Sequence, residues 1–276
     1  SDVCSSDLIM HKYMVASEAV KIKYVTKAAG ISNGWKKWQG EMEGLKKTDA
    51  FGKKQKYEAE YNRLLNSNAA LKAKYGGVLE ELNANVIKSN DYVKIREYSL
   101  EILRTNIEML RYYSKLDALV NAFEKNGGEE MMKKADAVKS WGPGYFKNYE
   151  RKIDEETFAA LLQMYYNDVD KEYIFKGLES LAPNSDQYTA NVKALFDASY
   201  LNSEEKLNEL LIKKPEDLAN SIKSDPAYIF YKEMIDQYNE KVAPKVTLYE
   251  GLVTSGMEKY MAAQMEVFKD RKFYPD

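Results

Sequence analysis

Apolar side chains recur at every third or fourth position between about Asp91 and Asn126. The recurring positions are Leu100, Leu103, Ile107, Leu110, Tyr113, Leu116, Val120 and Phe123. This spacing places them on one face of a helix. Asp91 is of a type that caps a helix start, and Gly127-Gly128 is of the type that ends one, because glycine adopts a left-handed turn without steric cost. The pattern predicts one long amphipathic helix.

The rest of the first half carries similar patterns and no proline before Pro143. Helices are predicted over Ile9–Gly30, over a stretch that carries Trp35 and Trp38, over Phe51–Tyr75, over Val78–Ser89 and over Glu129–Trp141. A break is expected at Ile31–Gly34, a stop at Gly76-Gly77, and another stop at Gly142-Pro143-Gly144.

The second half has more frequent start and stop signals. Asp154 is expected to open a helix, Ser185 and Ser203 to cap two short ones, and Pro215 and Pro226 to occupy first turns. Pro244 separates two last predicted helices, over Tyr228–Lys241 and Lys245–Lys269. No alternating strand pattern of useful length occurs. The sequence therefore predicts an all-α domain, with long antiparallel helices followed by a cluster of shorter helices.

Composition agrees with a packed helical protein. The 276 residues are 45% hydrophobic and 30% charged, with a formal net charge of −2. Lys and Arg form no basic block, which argues against nucleic acid as a partner. The longest apolar run, Phe158–Tyr166, is far shorter than the ~20 residues of a membrane helix.

The first eight residues, SDVCSSDL, match the translation of a common sequencing adapter. We therefore expect residues 1–8 to be an artefact of a metagenomic gene fragment and residues 9–276 to be the natural domain; an ordinary polar terminus is the alternative. Cys4, the only cysteine, then lies in the artefact, so neither a disulfide nor thiol catalysis is expected here.

No constellation of reactive residues emerges from the sequence. His11 is the only histidine and is expected to be a solvent-exposed helical residue; no Glu-x-x-His pair or phosphate-binding loop is present. Acidic neighbours on a helix point about 100° apart and do not converge. Such pairs are Glu80-Glu81, Glu129-Glu130, Glu155-Glu156 and Glu204-Glu205. We therefore assign no catalytic, cofactor-binding or metal-ligating residue and expect no cofactor.

Two aromatic features have both a structural and a functional interpretation. Tyr112-Tyr113 and Tyr165-Tyr166 could line a peptide-binding surface, but their helical spacing favours a place at the core. Residues 31–40, ISNGWKKWQG, carry two tryptophans three positions apart, and Gly40 and Gly44 would allow another backbone to approach closely. This segment is expected to be a helix start that packs tightly.

The segment also carries a resemblance. Residues 23–40 read KYVTKAAGISNGWKKWQG, which resembles the pattern Lys-Tyr-x-x-Lys-x-Ala-x-x-Ser-Asn-x-Trp-Lys-Lys-x-x-Gly of bacterial dipeptidyl peptidases 7 and 11. Gly34 departs from the tyrosine often found there. At the other end, Lys272–Asp276 resembles the stretch where such chains leave their helical domain. The two matches lie in the right order, about 230 residues apart.

The resemblance implies a chymotrypsin-like serine dipeptidyl peptidase with a double β-barrel into which a helical domain is inserted. The catalytic His and Asp would precede the insertion and the Ser would follow it, so all three would lie outside residues 1–276. The helical domain would act as a lid over the active-site cleft, and this segment alone would be inactive. Implied partners are a peptide substrate, the catalytic barrel of the same chain and, as a further option, a homodimer. The implied location is the bacterial periplasm or cell surface. A free-standing periplasmic adaptor or peptide-binding protein is the alternative.

Overall fold

The computed structural model describes residues 2–269, with side chains from Ser6 onwards. All regular elements in this range are helical, which confirms the predicted all-α class. The α-helices are α1 (Asp2–Ala16), α2 (Glu18–Lys47), α3 (Ala50–Ser67), α4 (Ala69–Tyr75), α5 (Val78–Leu100), α6 (Glu108–Asn126), α7 (Gly128–Asn148), α8 (Arg151–Asp168), α9 (Lys176–Ser180), α10 (Tyr188–Ala198), α11 (Glu204–Leu211), α12 (Pro215–Ser224), α13 (Pro226–Gln237) and α14 (Ala243–Val267). Two π-helical segments, Glu101–Asn106 and Tyr238–Val242, and two 3-10 turns, Lys171–Tyr173 and Tyr200–Asn202, complete the order.

Several predicted helix ends are where the sequence places them. Gly127 links α6 to α7 with a φ of 82°, in the region that favours glycine. The Ser203 side chain accepts a hydrogen bond from the Lys206 amide at 3.2 Å and caps α11. Pro215 and Pro226 stand in the first turns of α12 and α13, where the missing proline N–H costs nothing.

The prediction of one helix from Asp91 to Asn126 is wrong. Asp91 is exposed inside α5 and caps nothing, because α5 already begins at Val78. A π-helical segment follows α5, and Ile107 then adopts an extended conformation before α6 begins at Glu108. The cause is tertiary, since a carboxylate from α8 caps α6 at this point.

The expected break at Ile31–Gly34 is also absent, because α2 runs without interruption from Glu18 to Lys47. The chain instead breaks at Ser17, between α1 and α2. The predicted helix over Phe51–Tyr75 is divided at Asn68, whose side chain accepts hydrogen bonds from the Ala70 and Leu71 amides at 3.0 and 3.1 Å. An internal asparagine cap therefore starts α4.

Gly142-Pro143-Gly144 does not end α7, which continues through Pro143 to Asn148. Gly142 is buried, and the Leu207 side chain of α11 lies beside it. Two start signals were also misplaced. The helix α10 begins at Tyr188 rather than behind Ser185, and α8 begins at Arg151, so that Asp154 lies inside it.

The described residues divide into two compact units. The first unit contains residues 2–33 and 95–241. Its α6 and α7 form a tight antiparallel hairpin, and aromatic rings from α8, α10 and α13 fill its core. Phe158 packs edge-to-face on Phe196 with ring centres 5.5 Å apart, and it contacts Phe230 at 5.2 Å.

The second unit contains residues 34–94 and 242–269. Its core lies between α3, α4, the start of α5 and the end of α14, with Tyr61 and Ala263 fully buried. The Tyr61 ring meets Tyr260 edge-to-face, with ring centres 5.0 Å apart. Gly256 allows α14 to approach the side chain of Leu82 closely, because a Cβ there would lie 3.0 Å from a Leu82 methyl carbon.

Candidate functional site

Reactive side chains are scattered over the described residues. His11 is exposed on α1, as expected. The neighbouring Glu155 and Glu156 diverge, since Glu155 pairs with Arg151 at 3.1 Å and Glu156 pairs with Lys12 at 2.9 Å. Within residues 2–269 no group of three or more His, Cys, Asp or Glu side chains is arranged to hold a metal ion.

The tyrosine pairs belong mainly to the core. Tyr112 and Tyr113 are both buried. The Tyr112 hydroxyl donates a hydrogen bond to the Val138 carbonyl at 2.9 Å. The Tyr113 hydroxyl shares a hydrogen bond with the Ser199 hydroxyl at 2.7 Å. Tyr165 is buried as well, whereas its neighbour Tyr166 is half-buried. These tyrosines therefore stabilise helix packing rather than form a peptide-binding surface.

The first half of the 23–40 motif anchors α2 within the first unit. Lys27 forms an ion pair with Glu108 at 2.9 Å and donates to the Asn106 carbonyl at 3.2 Å. The Lys27 and Glu108 side chains are only 27% and 11% exposed, so solvent screens this ion pair less than it screens a pair on the surface. Lys27 thereby binds the last residue of the π-helical segment and the first residue of α6.

Two further motif residues reach the start of α8. The Tyr24 hydroxyl accepts a hydrogen bond from the Glu150 amide at 3.0 Å, and Lys23 donates to the Tyr149 carbonyl at 3.2 Å. Tyr24 is buried and packs with Ile153. Lys23, Tyr24 and Lys27 are therefore structural residues, and their spacing matches one face of α2.

Asp154 is the most perturbed carboxyl group in this region. Its oxygens accept hydrogen bonds from the Glu108 amide at 2.6 Å, the Met109 amide at 2.9 Å and the Tyr149 hydroxyl at 3.3 Å. The pKa of Asp154 is raised to about 7, chiefly by burial and then by the nearby charge of Glu108, whereas the two amide hydrogen bonds and the charge of Lys27 lower it. The Asp154 carboxyl group caps the N-terminus of α6. Because both of its oxygens are buried and accept hydrogen bonds from backbone amides, the group is suited to holding α6 in place rather than to proton transfer.

The second half of the motif is exposed on the second unit. Trp38, Met42 and Leu45 expose 64%, 58% and 60% of their surface, while Trp35 is half-buried. We call these four residues the tryptophan stripe. The prediction that this segment is a tightly packed helix start is therefore wrong. The three- and four-residue spacing of the stripe could have identified it as one apolar face of a helix.

The expected close approach at Gly40 and Gly44 is not found in the described residues, because a Cβ at either position would meet no atom within 4 Å. The C-terminal part of the resemblance, Lys272–Asp276, lies outside the described residues.

Two cavities can be described among residues 34–94 of the second unit. One of about 510 Å³ follows the C-terminal end of α2 and is lined by Leu45, Lys46, Asp49, Ala50, Phe51 and Lys54. The other, of about 770 Å³, lies between α3 and α5, and the buried Tyr61 hydroxyl beside it has no hydrogen-bond partner. Neither cavity gathers a nucleophile and a base, so both are binding surfaces at most.

None of the helices in the described range combines the length and apolar character that a membrane span requires.

Comparison with known proteins gives a consistent result. The sequence profile described as peptidase S46 matches residues 5–276. An Asp/Glu-specific dipeptidyl-peptidase of Flavobacterium psychrophilum is 28% identical over 265 residues, which is 96% of this chain and 36% of that protein. Dipeptidyl-peptidase 7 of Phocaeicola vulgatus is 27% identical over 85% of this chain and 33% of its own length.

Among solved structures, Porphyromonas endodontalis DPP11 in complex with the dipeptide Arg-Glu has the same fold, with a TM-score of 0.71 at 18% identity. The match covers 98% of this chain and 38% of that one. The chain therefore spans little more than a third of the length of these proteins.

Proposed function

The chain belongs to the peptidase S46 family, and from this premise we propose that it is the helical domain of a serine-type dipeptidyl peptidase. The proposed activity is the release of dipeptides from the N-termini of peptides. The catalytic triad would be supplied by other parts of a longer polypeptide. In this proposal the helical domain gates access to the active-site cleft.

One observation carries this proposal. The alignment with the Flavobacterium psychrophilum enzyme covers 96% of this chain but only 36% of that enzyme. In that relative, the segment that matches this chain is therefore only one part of a longer protein, which is named an Asp/Glu-specific dipeptidyl-peptidase. The same match favours the peptidase over a free-standing adaptor or peptide-binding protein.

The physical role proposed for the segment is that of a lid. A lid excludes water and fixes the position of the substrate without adding a reactive group. Lys27 and Asp154 fit this role, because Lys27 joins α2 to α6 and Asp154 joins α8 to α6 within the first unit. A lid over the cleft would also limit access to chain ends, which fits dipeptide release.

A chimera tests the proposal directly. Residues 9–269 would replace the matched segment of the Flavobacterium psychrophilum enzyme, and hydrolysis of acidic dipeptidyl fluorogenic amides would be measured. We expect the chimera to release dipeptides, and we expect the same enzyme with a short linker in place of the segment to lose at least about 100-fold in kcat/KM. A linker variant as active as the chimera would contradict the lid.

The isolated chain provides the complementary test. With the same substrates and with longer peptides followed by mass spectrometry, it should release no dipeptide above the rate of a buffer blank. Dipeptide release by the isolated chain, at a rate proportional to its concentration, would show that the reactive groups lie within it.

The proposed partners follow from the same premise: a peptide substrate and the catalytic barrel of the same polypeptide. We also propose the bacterial periplasm or cell surface as the site of action. Cell fractionation of a strain that expresses the complete gene, with detection by an antibody against this segment, would test the location. Recovery in the cytoplasmic fraction would contradict it.

A further inference from the structure

The cavity between α3 and α5 brings together groups from three helices of the second unit. It measures about 770 Å³, and the end of α4 with the Gly76-Gly77 link forms one of its walls. This volume lies within the range of natural sites for small ligands. Three groups at the cavity can donate hydrogen bonds or carry positive charge: the Tyr61 hydroxyl, the start of α5 and the Lys72 side chain.

The Tyr61 hydroxyl is the first of these groups. Tyr61 is fully buried, and its hydroxyl has no hydrogen-bond partner among the described residues. By contrast, the Tyr75 hydroxyl in the same core cluster donates to Glu266 at 2.7 Å. Burial raises the pKa of Tyr61 to about 12, so the hydroxyl keeps its proton at neutral pH and can donate. Since a buried donor without an acceptor is unfavourable, an oxygen bound in the cavity would stabilise this group.

The start of α5 is the second group. The first N–H groups of a helix have no partner within it and give this end a partial positive charge. The preceding residue, Gly77, has no side chain that could accept from them, and a Cβ there would meet no atom within 4 Å, so a ligand can approach this backbone. Leu79, in the first turn of α5, packs in the same cluster as Tyr61. Tyr61 and the start of α5 therefore face one cavity.

Lys72 is the third group. The Gly76 amide donates to the Lys72 carbonyl at 2.8 Å, which places Lys72 one helical turn before the link to α5. The nearby Lys74 forms an ion pair with Glu266 at 2.5 Å, whereas Lys72 is exposed and has no ion-pair partner among the described residues. The positive charge of Lys72 is therefore available to a ligand in the cavity.

We propose that this cavity binds a carboxylate group, with the Tyr61 hydroxyl and the first amides of α5 as hydrogen-bond donors and Lys72 as the opposite charge. Backbone amides at a helix start suit an anion of this kind. Both the C-terminus of a peptide and an acidic side chain offer such a group. The inference is independent of the proposed peptidase function, because it concerns binding without hydrolysis.

Two acidic residues at the cavity limit the affinity. Glu58 lies 3.5 Å from Lys54, which offsets its charge. Glu80 is exposed in the first turn of α5 and opposes a second negative charge there. We therefore expect weak binding, with a dissociation constant of about 1 mM.

Nuclear magnetic resonance of the 276-residue chain tests the proposal with three probes. N-acetyl-dialanine has only a C-terminal carboxylate, N-acetylglutamic acid α-amide has only a side-chain carboxylate, and N-acetyl-dialanine amide has neither. We expect at least one carboxylate probe to shift the amide signals of Gly77 and Leu79 saturably, and the probe that does so identifies the source of the carboxylate. Equal shifts with the neutral amide, or no saturable shift with either carboxylate probe, would overturn the proposal.

Variants test the groups themselves. Tyr61→Phe should weaken binding about tenfold, and it should not lower Tm, because the hydroxyl that it removes has no partner in the protein. Lys72→Met should weaken binding about threefold. Unchanged affinity in Tyr61→Phe would overturn the proposal. A lower Tm in this variant would also overturn it, since the hydroxyl would then already have a partner.

The opposing charge provides a test with the reverse sign. Glu80→Gln should tighten binding about threefold, because it removes a negative charge beside the bound carboxylate. Glu81→Gln is the matched control, since Glu81 lies in the same helical turn, is exposed and does not line the cavity. It should leave the affinity within about 1.5-fold of the wild type. Weaker binding in Glu80→Gln, or equal effects of the two variants, would contradict a carboxylate site at this helix start.

Discussion

The carboxylate of Asp154 in α8 accepts a hydrogen bond from the backbone amide of Met109 in α6, at 2.9 Å. Its other oxygen accepts from the Glu108 amide at 2.6 Å. One side chain therefore satisfies two of the free N–H groups at the start of α6 from 45 residues further along the chain. The helix has no local cap, since its N-cap residue is Ile107, which offers no side-chain acceptor.

Replacement of this remote cap should be costly. Asp154→Ala leaves two buried amides without an acceptor, and we expect the free energy of unfolding at pH 5 to fall by about 3 kcal/mol. Urea denaturation followed by circular dichroism measures this. Asp91→Ala is the control, because Asp91 is exposed inside α5, and its effect should stay within about 0.5 kcal/mol. Equal losses in the two variants would contradict the capping role.

The pH dependence of stability should change with the same substitution. The folded-state pKa of Asp154 is about 7, above the value of about 3.9 expected for an unfolded chain. The folded state then binds the proton more tightly, so this contribution to stability is complete below about pH 4 and is lost as the pH rises to about 7.

We therefore expect the stability difference between the wild type and Asp154→Ala to shrink by about 2 kcal/mol from pH 5 to pH 7.5. Urea denaturation of both proteins at the two pH values measures the change. Other titrating groups are common to both proteins and cancel in the comparison. A difference that stays constant between the two pH values would contradict the raised pKa, because it would mean that the carboxylate is ionised in the folded protein as well as in the unfolded chain throughout this range.

The Lys27–Glu108 ion pair should matter more than surface pairs on the same helix. Lys27→Met leaves the largely buried Glu108 carboxylate without its cation, and we expect a loss of about 1–2 kcal/mol in the free energy of unfolding. Lys21→Met removes the exposed pair with Glu18, which is 3.3 Å long, and should cost less than about 0.5 kcal/mol. Chemical denaturation of both variants checks the contrast, and a larger loss for Lys21→Met would refute it.

Two prolines should respond to alanine with opposite signs. Pro143 lies inside α7, where it removes a backbone hydrogen bond, so Pro143→Ala should stabilise the protein by about 1–2 kcal/mol. Pro215 occupies the first turn of α12, where its fixed φ is favourable, so Pro215→Ala should destabilise it by about 0.5–1 kcal/mol. Differential scanning calorimetry would detect both shifts in Tm. A lower Tm for Pro143→Ala would indicate that α7 needs the irregularity at that position.

Local signals in the sequence were sufficient where the cause is local. Gly127, Ser203 and Pro226 act through their own backbone preferences or through neighbours within three residues, so their positions could be predicted. The interruption at Ile107 could not, because its capping group comes from Asp154. The continuity of α7 across Pro143 could not be predicted either, because α7 packs against α11, where Leu207 lies beside Gly142, and this contact joins residues far apart in the sequence.

The candidate site divides in the same way. The motif at residues 23–40 was visible in the sequence, but its separation into an anchored half and an exposed half was not. Lys23 and Lys27 carry no sign in the sequence of the carbonyls and carboxylate that they bind 79 to 126 residues away. The exposure of Trp38 contradicts its apolar character, and only the structure reveals that α2 continues past its last buried residue, Ala28.

The single-residue link at Gly127 also bears on the order of assembly. Residues that pair across the α6–α7 hairpin are close in sequence, as with Tyr112 and Val138, which are separated by 26 positions. Closing so short a loop costs little chain entropy, whereas Lys27 must find Asn106 across 79 positions. The hairpin is therefore expected to form early in folding and to offer a preformed surface onto which the N-terminal helices condense.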